Sequence, residues 1–272
     1  MMYRVLACLA VALGLGAQAA NVAFVADIRG NATIEGDGKL NFLAELAPGT
    51  RLLLGSGTIA AITFAASGSE FTIAGPGEYL VTPADVKMEK GAAPVKRAVI
   101  TLPDPGVITR VSQAATASVR MRSVTVPAPA SAVLEYPVDA RVATLRPVLR
   151  WKGDMSTDGV IVRVQDSAGK EVWKARMQPN TVSASLRLSP ATRYTWTLMT
   201  PKGAVAEAQF ETLPADAVAR AEKSRAGARS FSDRVLHAFL LLDLGAQQDA
   251  REAWAALSRE RPDLPELAAL AR

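Results

Sequence analysis

Few residues of this sequence have the types and spacing that acid–base or nucleophilic chemistry requires. The sole histidine, His237, lies between Leu236 and Ala238 in a helical pattern. The stretches "LGSGT" and "ASGSE" lack the GxSxG turn that presents a nucleophilic serine. A metal site would need scattered carboxylates around that one histidine, which matches no ordinary ligand spacing. We therefore predict a protein that is not an enzyme, with no catalytic residue, no metal site and no cofactor.

Paired carboxylates are the remaining acid–base candidates, because two of them about a cleft can hydrolyse a glycosidic bond. The sequence offers Glu35 with Asp37, and Glu70 with Glu78. Nothing in the spacing places either pair across a cleft. A hydrolase of envelope polysaccharide therefore stays open as an alternative to a binding function.

The glycine-rich stretch "FTIAGPGEYLV", residues 71–81, raises the question of a phosphate-binding loop. Such a loop needs the spacing GxxxxGK, followed by Ser or Thr, and leads into a helix. Here the apolar residues on both sides of the Gly-Pro-Gly share one parity: Phe71, Ile73, Tyr79 and Val81. We predict a kinked β-strand, in which glycine allows a close backbone approach.

The first twenty residues predict export. Arg4 precedes an apolar run from Val5 to Gly16, and Ala17 and Ala19 then supply the small residues of a cleavage site. The run is shorter than the roughly 20 apolar residues that cross a bilayer. We predict a signal peptide at residues 1–20, a periplasmic or otherwise secreted or envelope-associated protein, and no transmembrane span after cleavage.

Composition fits a globular chain that is stabilised by apolar cores. Hydrophobic residues make up 49% and charged residues 21%, and the net charge is +5. The one cysteine, Cys8, lies in the predicted signal peptide, so the mature chain can form no disulfide. Lysines and arginines are spread out rather than clustered with aromatic residues, which argues against nucleic acid as a partner.

Residues 21–103 alternate as short strands separated by Gly and Pro. One face of a strand carries Ala60, Ile62 and Phe64, and the other carries Ala61, Thr63 and Ala65. The succession "LAPGTRLLLGSGTIAAITFAASGSEFTIAGPGEYLV" resembles the FecR-like domain, with turn glycines at Gly49, Gly55, Gly57 and Gly68. The resemblance implies an all-β, non-enzymatic exported module. It also leaves open a periplasmic signalling or regulatory protein related to FecR-type regulators.

Residues 104–132 read as a linker, with an extended proline-rich end. Within it, "ASVRMRSVTV" alternates and is typical of a last strand of the first domain.

Residues 133–213 resemble a fibronectin type III-like β-sandwich. The resemblance rests on Leu188-x-Pro190-x-Thr192-x-Tyr194 and on Phe210-x-Thr212. It implies that Trp151 lies in the core and that Tyr194 forms a tyrosine corner, its hydroxyl bonded to nearby backbone. Trp173, on a strand expected to be exposed, is a candidate for a partner surface.

Residues 214–272 change to a helical period, with Ser232 as the expected N-cap and Gly245 as the expected stop of one helix. They resemble one tetratricopeptide repeat at Ala238, Leu241, Gly245, Ala250, Trp254, Leu257 and Pro262. In that family Ala250 and Trp254 pack internally. A lone repeat cannot bury both of its faces, so it must pack on the preceding helix, on the β domains or on another chain.

Two interpretations of this helical hairpin stay open. In one it caps the molecule, and removing it makes the chain aggregate. In the other it docks a partner through Arg234, His237 and Leu241, and removing everything after Pro214 leaves both β domains folded.

Together these patterns predict a mainly β protein that ends in a short α-helical region. Its expected function is non-catalytic binding or scaffolding in the bacterial cell envelope. The expected partner is an envelope protein or cell-wall polysaccharide.

Overall fold

The computed structural model describes residues 20–102, 104, 106–118, 133–153, 159–177, 186–200 and 203–272. These residues form two β units and a C-terminal group of helices, so the prediction of a mainly β protein with a helical C-terminal region is confirmed. The predicted signal peptide lies outside the described residues, apart from Ala20. In the part that is described, no helix is both long enough and apolar enough to cross a membrane.

The first β unit contains two five-stranded sheets. Its strands are β1 (Ala23–Arg29), β2 (Ala32–Ile34), β3 (Gly38–Lys39), β4 (Glu45–Leu46), β5 (Arg51–Leu54), β6 (Ile59–Phe64), β7 (Ser69–Ala74), β8 (Gly77–Val81), β9 (Val86–Lys90) and β10 (Val95–Ala98). Sheet A has the order β10-β7-β6-β1-β4, and sheet B has the order β3-β2-β5-β8-β9.

The central strands of sheet A, β1, β6 and β7, are buried on both faces. On its inner face Val25, Ile62 and Phe71 lie side by side across β1, β6 and β7, in one core with residues of sheet B such as Leu52 and Tyr79. Both sets of the alternation in β6 are buried. On the outer face of sheet A, Phe24, Thr63 and Glu70 lie side by side across the same three strands, and the C-terminal helices pack there.

The Gly-Pro-Gly stretch joins two strands that belong to different sheets. The chain leaves sheet A at Ala74 and enters sheet B at Gly77, so a crossing between sheets replaces the predicted kink in one strand. The predicted close approach is confirmed, because a Cβ added to Gly75 would lie 1.9 Å from the carbonyl oxygen of Gly55. No side chain larger than hydrogen fits there.

Part of the predicted linker, residues 104–132, is a helix: α1 (Gly106–Ser118) is 13 residues long. Its start has local signals, because Asp104 precedes Pro105 in the sequence and the Asp104 carboxylate accepts a hydrogen bond from the Gly106 backbone N–H at 2.9 Å. Val107 and Ile108 are buried, and the helix packs against the C-terminal helices. Tertiary contact therefore stabilises α1. Residues 119–132, and with them most of the suggested last strand, lie outside the described residues.

The second β unit is a sandwich-like pair of sheets. Its strands are β11 (Val133–Tyr136), β12 (Ala140–Val142), β13 (Arg150–Lys152), β14 (Val160–Asp166), β15 (Glu171–Met177), β16 (Arg193–Thr200) and β17 (Gly203–Thr212). A two-stranded sheet, β11-β13, faces a five-stranded one, β12-β17-β16-β14-β15, over a core that includes Trp151 and Trp196. The Tyr194 hydroxyl accepts a hydrogen bond from the Ser189 backbone N–H at 2.9 Å, which confirms the predicted bond to nearby backbone.

The C-terminal region contains α2 (Ala215–Gly227), α3 (Phe231–Asp243), α4 (Gln247–Glu260) and α5 (Pro265–Leu270). Helix α3 begins two residues earlier than predicted. Its N-cap is Ser230, which exchanges hydrogen bonds with Asp233 in a capping box, and Ser232 is buried in the first turn. Gly245, with φ of +79°, follows the end of α3 and confirms the predicted stop.

Candidate functional site

The hairpin formed by α3 and α4 lies between the two β units and touches both. On the first unit it covers the outer face of sheet A, where the Phe24 and Phe239 rings meet edge to face at 5.7 Å. Phe239 also packs against Trp254 of α4 at 5.2 Å, and both rings are buried. The helices therefore act as a third layer on sheet A, which explains why β1, β6 and β7 are buried on both faces.

A charged cluster fastens α3 to this face. Glu70 is only 1% exposed, and it accepts hydrogen bonds from Thr63 and from the Arg97 guanidinium. Arg97 also donates to Asp233 at 2.7 Å and to Ser230 at 2.9 Å. Burial opposes the charge of Arg97, but its hydrogen bonds to Asp233 and Glu70 raise its pKa. The pKa of Asp233 is lowered, because bonds from Ser230 and Arg97 outweigh its burial.

A second charged contact fastens the end of α4. Arg261 donates to Asp27 at 2.6 Å and to the backbone carbonyl of Ile28 at 2.8 Å. It also pairs with Asp263, and these hydrogen bonds raise the pKa of Arg261 despite its burial. Two separate ion pairs thus join the hairpin to sheet A.

On its other side α4 contacts the second β unit through Asp249. This carboxylate accepts hydrogen bonds from the Tyr136 hydroxyl at 2.5 Å and from the Ala143 backbone N–H at 2.6 Å. Burial raises the pKa of Asp249 although both bonds lower it. Gln248 adds a hydrogen bond to the carbonyl of Glu135 at 2.6 Å.

The residues predicted to form a partner surface lie in different surroundings. Leu241 is buried in a cluster with α2, and Trp173 is half-buried against the sandwich core. The Arg234 guanidinium donates through Nη2 to both carboxylate oxygens of Glu260, at 2.6 and 2.7 Å. His237 bonds to Ser224 of α2 at 3.1 Å, and burial, with a contribution from the charge of Arg225, lowers its pKa to about 4. The structure brings His237 and Leu241 together but places Trp173 elsewhere.

The residues expected to be internal are all buried, namely Trp151, Tyr194, Ala250 and Trp254. Within the described residues, three of the four candidate carboxylates are in ion pairs, Glu35 with Arg51, Glu70 with Arg97 and Glu78 with Lys90. No group of three or more potential metal ligands is found in that part of the chain.

Two recesses flank the hairpin. The junction cleft, of 310 Å³, lies between the second β unit and helices α2 to α4, and its lining includes Tyr136, Arg146, Arg150, Arg225, His237 and Asp249. The edge groove, of 940 Å³, lies between the end of sheet A and helices α2 and α3. Its lining includes Arg97, Ala98, Thr101, Arg220, Lys223 and Arg229.

The edge groove is the more strongly charged of the two recesses. Arg220, Lys223 and Arg229 are exposed along its helical wall. Among the described residues, Lys223 and Arg229 form no ion pair, and Arg220 reaches only Asp243 at 4.0 Å. The lining of the junction cleft also includes cations, but three carboxylates accompany them, Glu222, Asp249 and Glu252, whereas the lining of the edge groove includes only Asp233. Unpaired cations beside a large recess make the edge groove the better candidate for binding.

The sequence alone did not reveal the edge groove. Its cations come from residues 97 and 220–229, which are far apart in the chain, so a local cluster of charge in the sequence does not predict the groove. The only local signal is the concentration of arginine and lysine in α2 itself.

Comparisons with known proteins add little. No family model matches the sequence, and no curated protein matches it. One solved structure, described as "Biofilm associated protein - BSP domain", aligns with 72% of this chain at 12% identity and a TM-score of 0.23. The alignment spans 25% of that other chain. A likeness at this TM-score carries no argument about fold or function.

Proposed function

We propose that this chain is an exported, non-catalytic binding and scaffold protein of the bacterial cell envelope, and that the edge groove is its binding surface. The supporting observation is the groove itself. Its 940 Å³ are at the upper end of ordinary ligand sites, roughly 300–1,000 Å³, and unpaired cations line one wall.

In this proposal the first β unit is a FecR-like domain, the second is a fibronectin type III-like domain, and α3 with α4 is a tetratricopeptide-like hairpin. The hairpin contributes to binding by holding the two β units and α2 in fixed positions. It thereby forms the helical wall of the groove, while its own apolar faces are used internally.

The proposal is tested by site-specific photo-crosslinking of the full chain in living bacteria. A photoreactive residue replaces Thr101 inside the groove, and a control replaces Met88, which is 45% exposed on sheet B. We expect an adduct from position 101 alone, in the envelope fraction. Equal adducts from both positions, or a chain that stays in the cytoplasm, would overturn the proposal.

The export of the chain is tested separately, by N-terminal sequencing. The envelope fraction should contain a processed chain whose N-terminus is Ala20 or Asn21, the residues that follow the predicted cleavage motif. N-terminal sequencing that finds Met1 on that fraction would contradict the prediction.

A further inference from the structure

Strand β10 is an edge of sheet A, and the backbone that continues it lines the edge groove. The register Ala98↔Ser69 extends by one more step, because the Val99 N–H donates to the Gly68 carbonyl at 2.9 Å. Across the described residues, Ile100 and Thr101 take part in no backbone hydrogen bond. The last part of this edge is therefore open.

The register also fixes which backbone groups of the edge point away from β7. In an antiparallel pair, alternate residues bond to the neighbour and the residues between them point to the other side. Since Val99 bonds to β7, Val95 and Arg97 bond to it as well. Lys96 and Ala98 consequently direct their N–H and C=O groups outward. This spacing is what an additional strand requires.

The positive charge of the edge groove restricts which kind of peptide segment can bind there. Lys223 and Arg229 face the recess without a carboxylate partner among the described residues, and Arg220 is held only at 4.0 Å by Asp243. An occupant that carries carboxylates would complement all three. The chain's own connector carries Arg120 and Arg122, charges of the wrong sign, so it is a poor occupant.

The edge strand β9 of sheet B is different. Two of its three charged side chains are tied to other strands of the sheet, Glu89 to Arg51 of β5 and Lys90 to Glu78 of β8. Such charges are a common protection of a free edge against pairing. In β10 the Arg97 side chain is turned instead towards Ser230 and Asp233 of the helical layer.

We propose that the edge groove binds an extended, acidic peptide segment of a partner protein, which adds to β10 as a further strand. This rests on the proposed function and names the partner's chemistry. The paired edge from Val95 to Val99 is five residues long, so it accommodates a strand of about five residues, with room for longer ends. Backbone bonds supply affinity, and acidic side chains at every second position face α2 and supply specificity.

The test uses the purified mature chain and a fluorescent eight-residue peptide that alternates Thr and Glu. Two control peptides separate the contribution of the acidic side chains from that of the backbone hydrogen bonds. One replaces every Glu with Gln, which removes the charge and keeps the shape. The other keeps every Glu but is N-methylated at alternate residues, which blocks the backbone donors. We expect binding of the parent peptide and loss of binding with both controls.

Matched variants locate the site. Lys223→Gln with Arg229→Gln should weaken binding roughly tenfold, since two exposed ion pairs are removed. Lys174→Gln with Arg176→Gln makes the same charge change on β15 and should leave binding unchanged. Thermal melting of each variant confirms that it is folded.

The outcomes are distinguishable. If the N-methylated peptide, or the polysaccharide polygalacturonate, binds as tightly as the parent peptide, the groove is a general polyanion site and strand addition is overturned. If no peptide binds although the Thr101 cross-link forms in cells, this inference fails and the proposed function stands. If that cross-link is also absent, both fail.

Discussion

Glu70 shows how a charged side chain is held beneath the helical layer of sheet A. It is 1% exposed and depends on Thr63 and Arg97 for its hydrogen bonds. Arg97→Ala should destabilise the mature chain by about 3 kcal/mol, because it leaves an uncompensated buried carboxylate. The measurement is the free energy of unfolding from chemical denaturation.

A double variant serves as the control for that prediction. Arg97→Met with Glu70→Leu removes both charges and keeps the volume, so it should recover most of the lost stability. A double variant as unstable as Arg97→Ala would mean that the contact of Arg97 with Asp233, rather than the burial of Glu70, dominates.

The second β unit offers two substitutions with a defined order. Tyr194→Phe removes the hydroxyl bond to the Ser189 backbone and should cost about 0.5–1.5 kcal/mol. Trp151→Ala empties a buried site against Trp196, at 6.4 Å between rings, and should cost about 3–5 kcal/mol. Chemical denaturation of both variants gives the order. A smaller loss for Trp151→Ala would contradict the core that the structure assigns.

His237 should make stability depend on pH. Its pKa of about 4 in the folded chain is below the ordinary 6.5, so between these values only the unfolded chain takes up the proton. The stability from burying the neutral ring is fully present above pH 6.5 and declines as pH falls towards 4. We expect a loss of about 1–2 kcal/mol, allowing for partial exposure of the ring.

The measurement is the difference in melting temperature between the parent chain and His237→Gln across that pH range. Glutamine keeps a partner for Ser224 but does not titrate. The buried carboxyl group of Asp249, whose pKa is raised, is present in both chains and therefore cancels from the difference. A difference that is constant with pH would contradict the prediction.

At the scale of elements, the helical hairpin is the part whose removal should matter most. Truncation after Pro214 uncovers Phe24, Glu70 and the small residues of the outer face of sheet A, all of which α3 and α4 cover. The truncated chain should aggregate, because a sheet face of this size is not stable in water. Solubility is measured by centrifugation and size-exclusion chromatography.

The matched control supplies residues 215–272 as a separate chain, which should restore a soluble complex. A truncated chain that is monomeric and unfolds cooperatively would show that the hairpin is dispensable. In that case the docking interpretation of Arg234 and His237 would be favoured.

The secondary-structure elements differ in how well the sequence predicts them. Strand β6 was readable from the alternation of residues 60–65, and the end of α3 from Gly245, because these signals are local. Helix α1 was missed although Asp104 and Pro105 are a local start signal, because its small and polar residues are typical of a linker and it is stabilised by burying Val107 and Ile108 against distant helices. The edge groove was missed for the same reason, as its walls are separated by more than a hundred residues.

For the molecule as a whole, Asp249 is the buried carboxylate among several contacts between the second β unit and the helices, which include the Gln248 hydrogen bonds and the Arg150–Glu252 ion pair. Asp249→Ala removes the acceptor of both Tyr136 and the Ala143 backbone, so the second unit should be held less firmly while each part stays folded. We expect small-angle X-ray scattering to show a larger radius of gyration than that of the parent chain. Asp216→Ala, an exposed residue in the first turn of α2, is the control and should leave the radius unchanged.

The helical layer on sheet A also has a consequence for the order in which the molecule assembles. Arg97 and Asp233 are 136 residues apart in the chain, and Asp27 and Arg261 are 234 apart. Contacts of such separation form late, because closing a long loop costs entropy before any contact is gained. A chain that emerges from the ribosome N-terminus first cannot complete its first β unit until α3 and α4 have been made. We expect this delay to keep the first β unit incompletely folded during synthesis, which is compatible with the export that we propose.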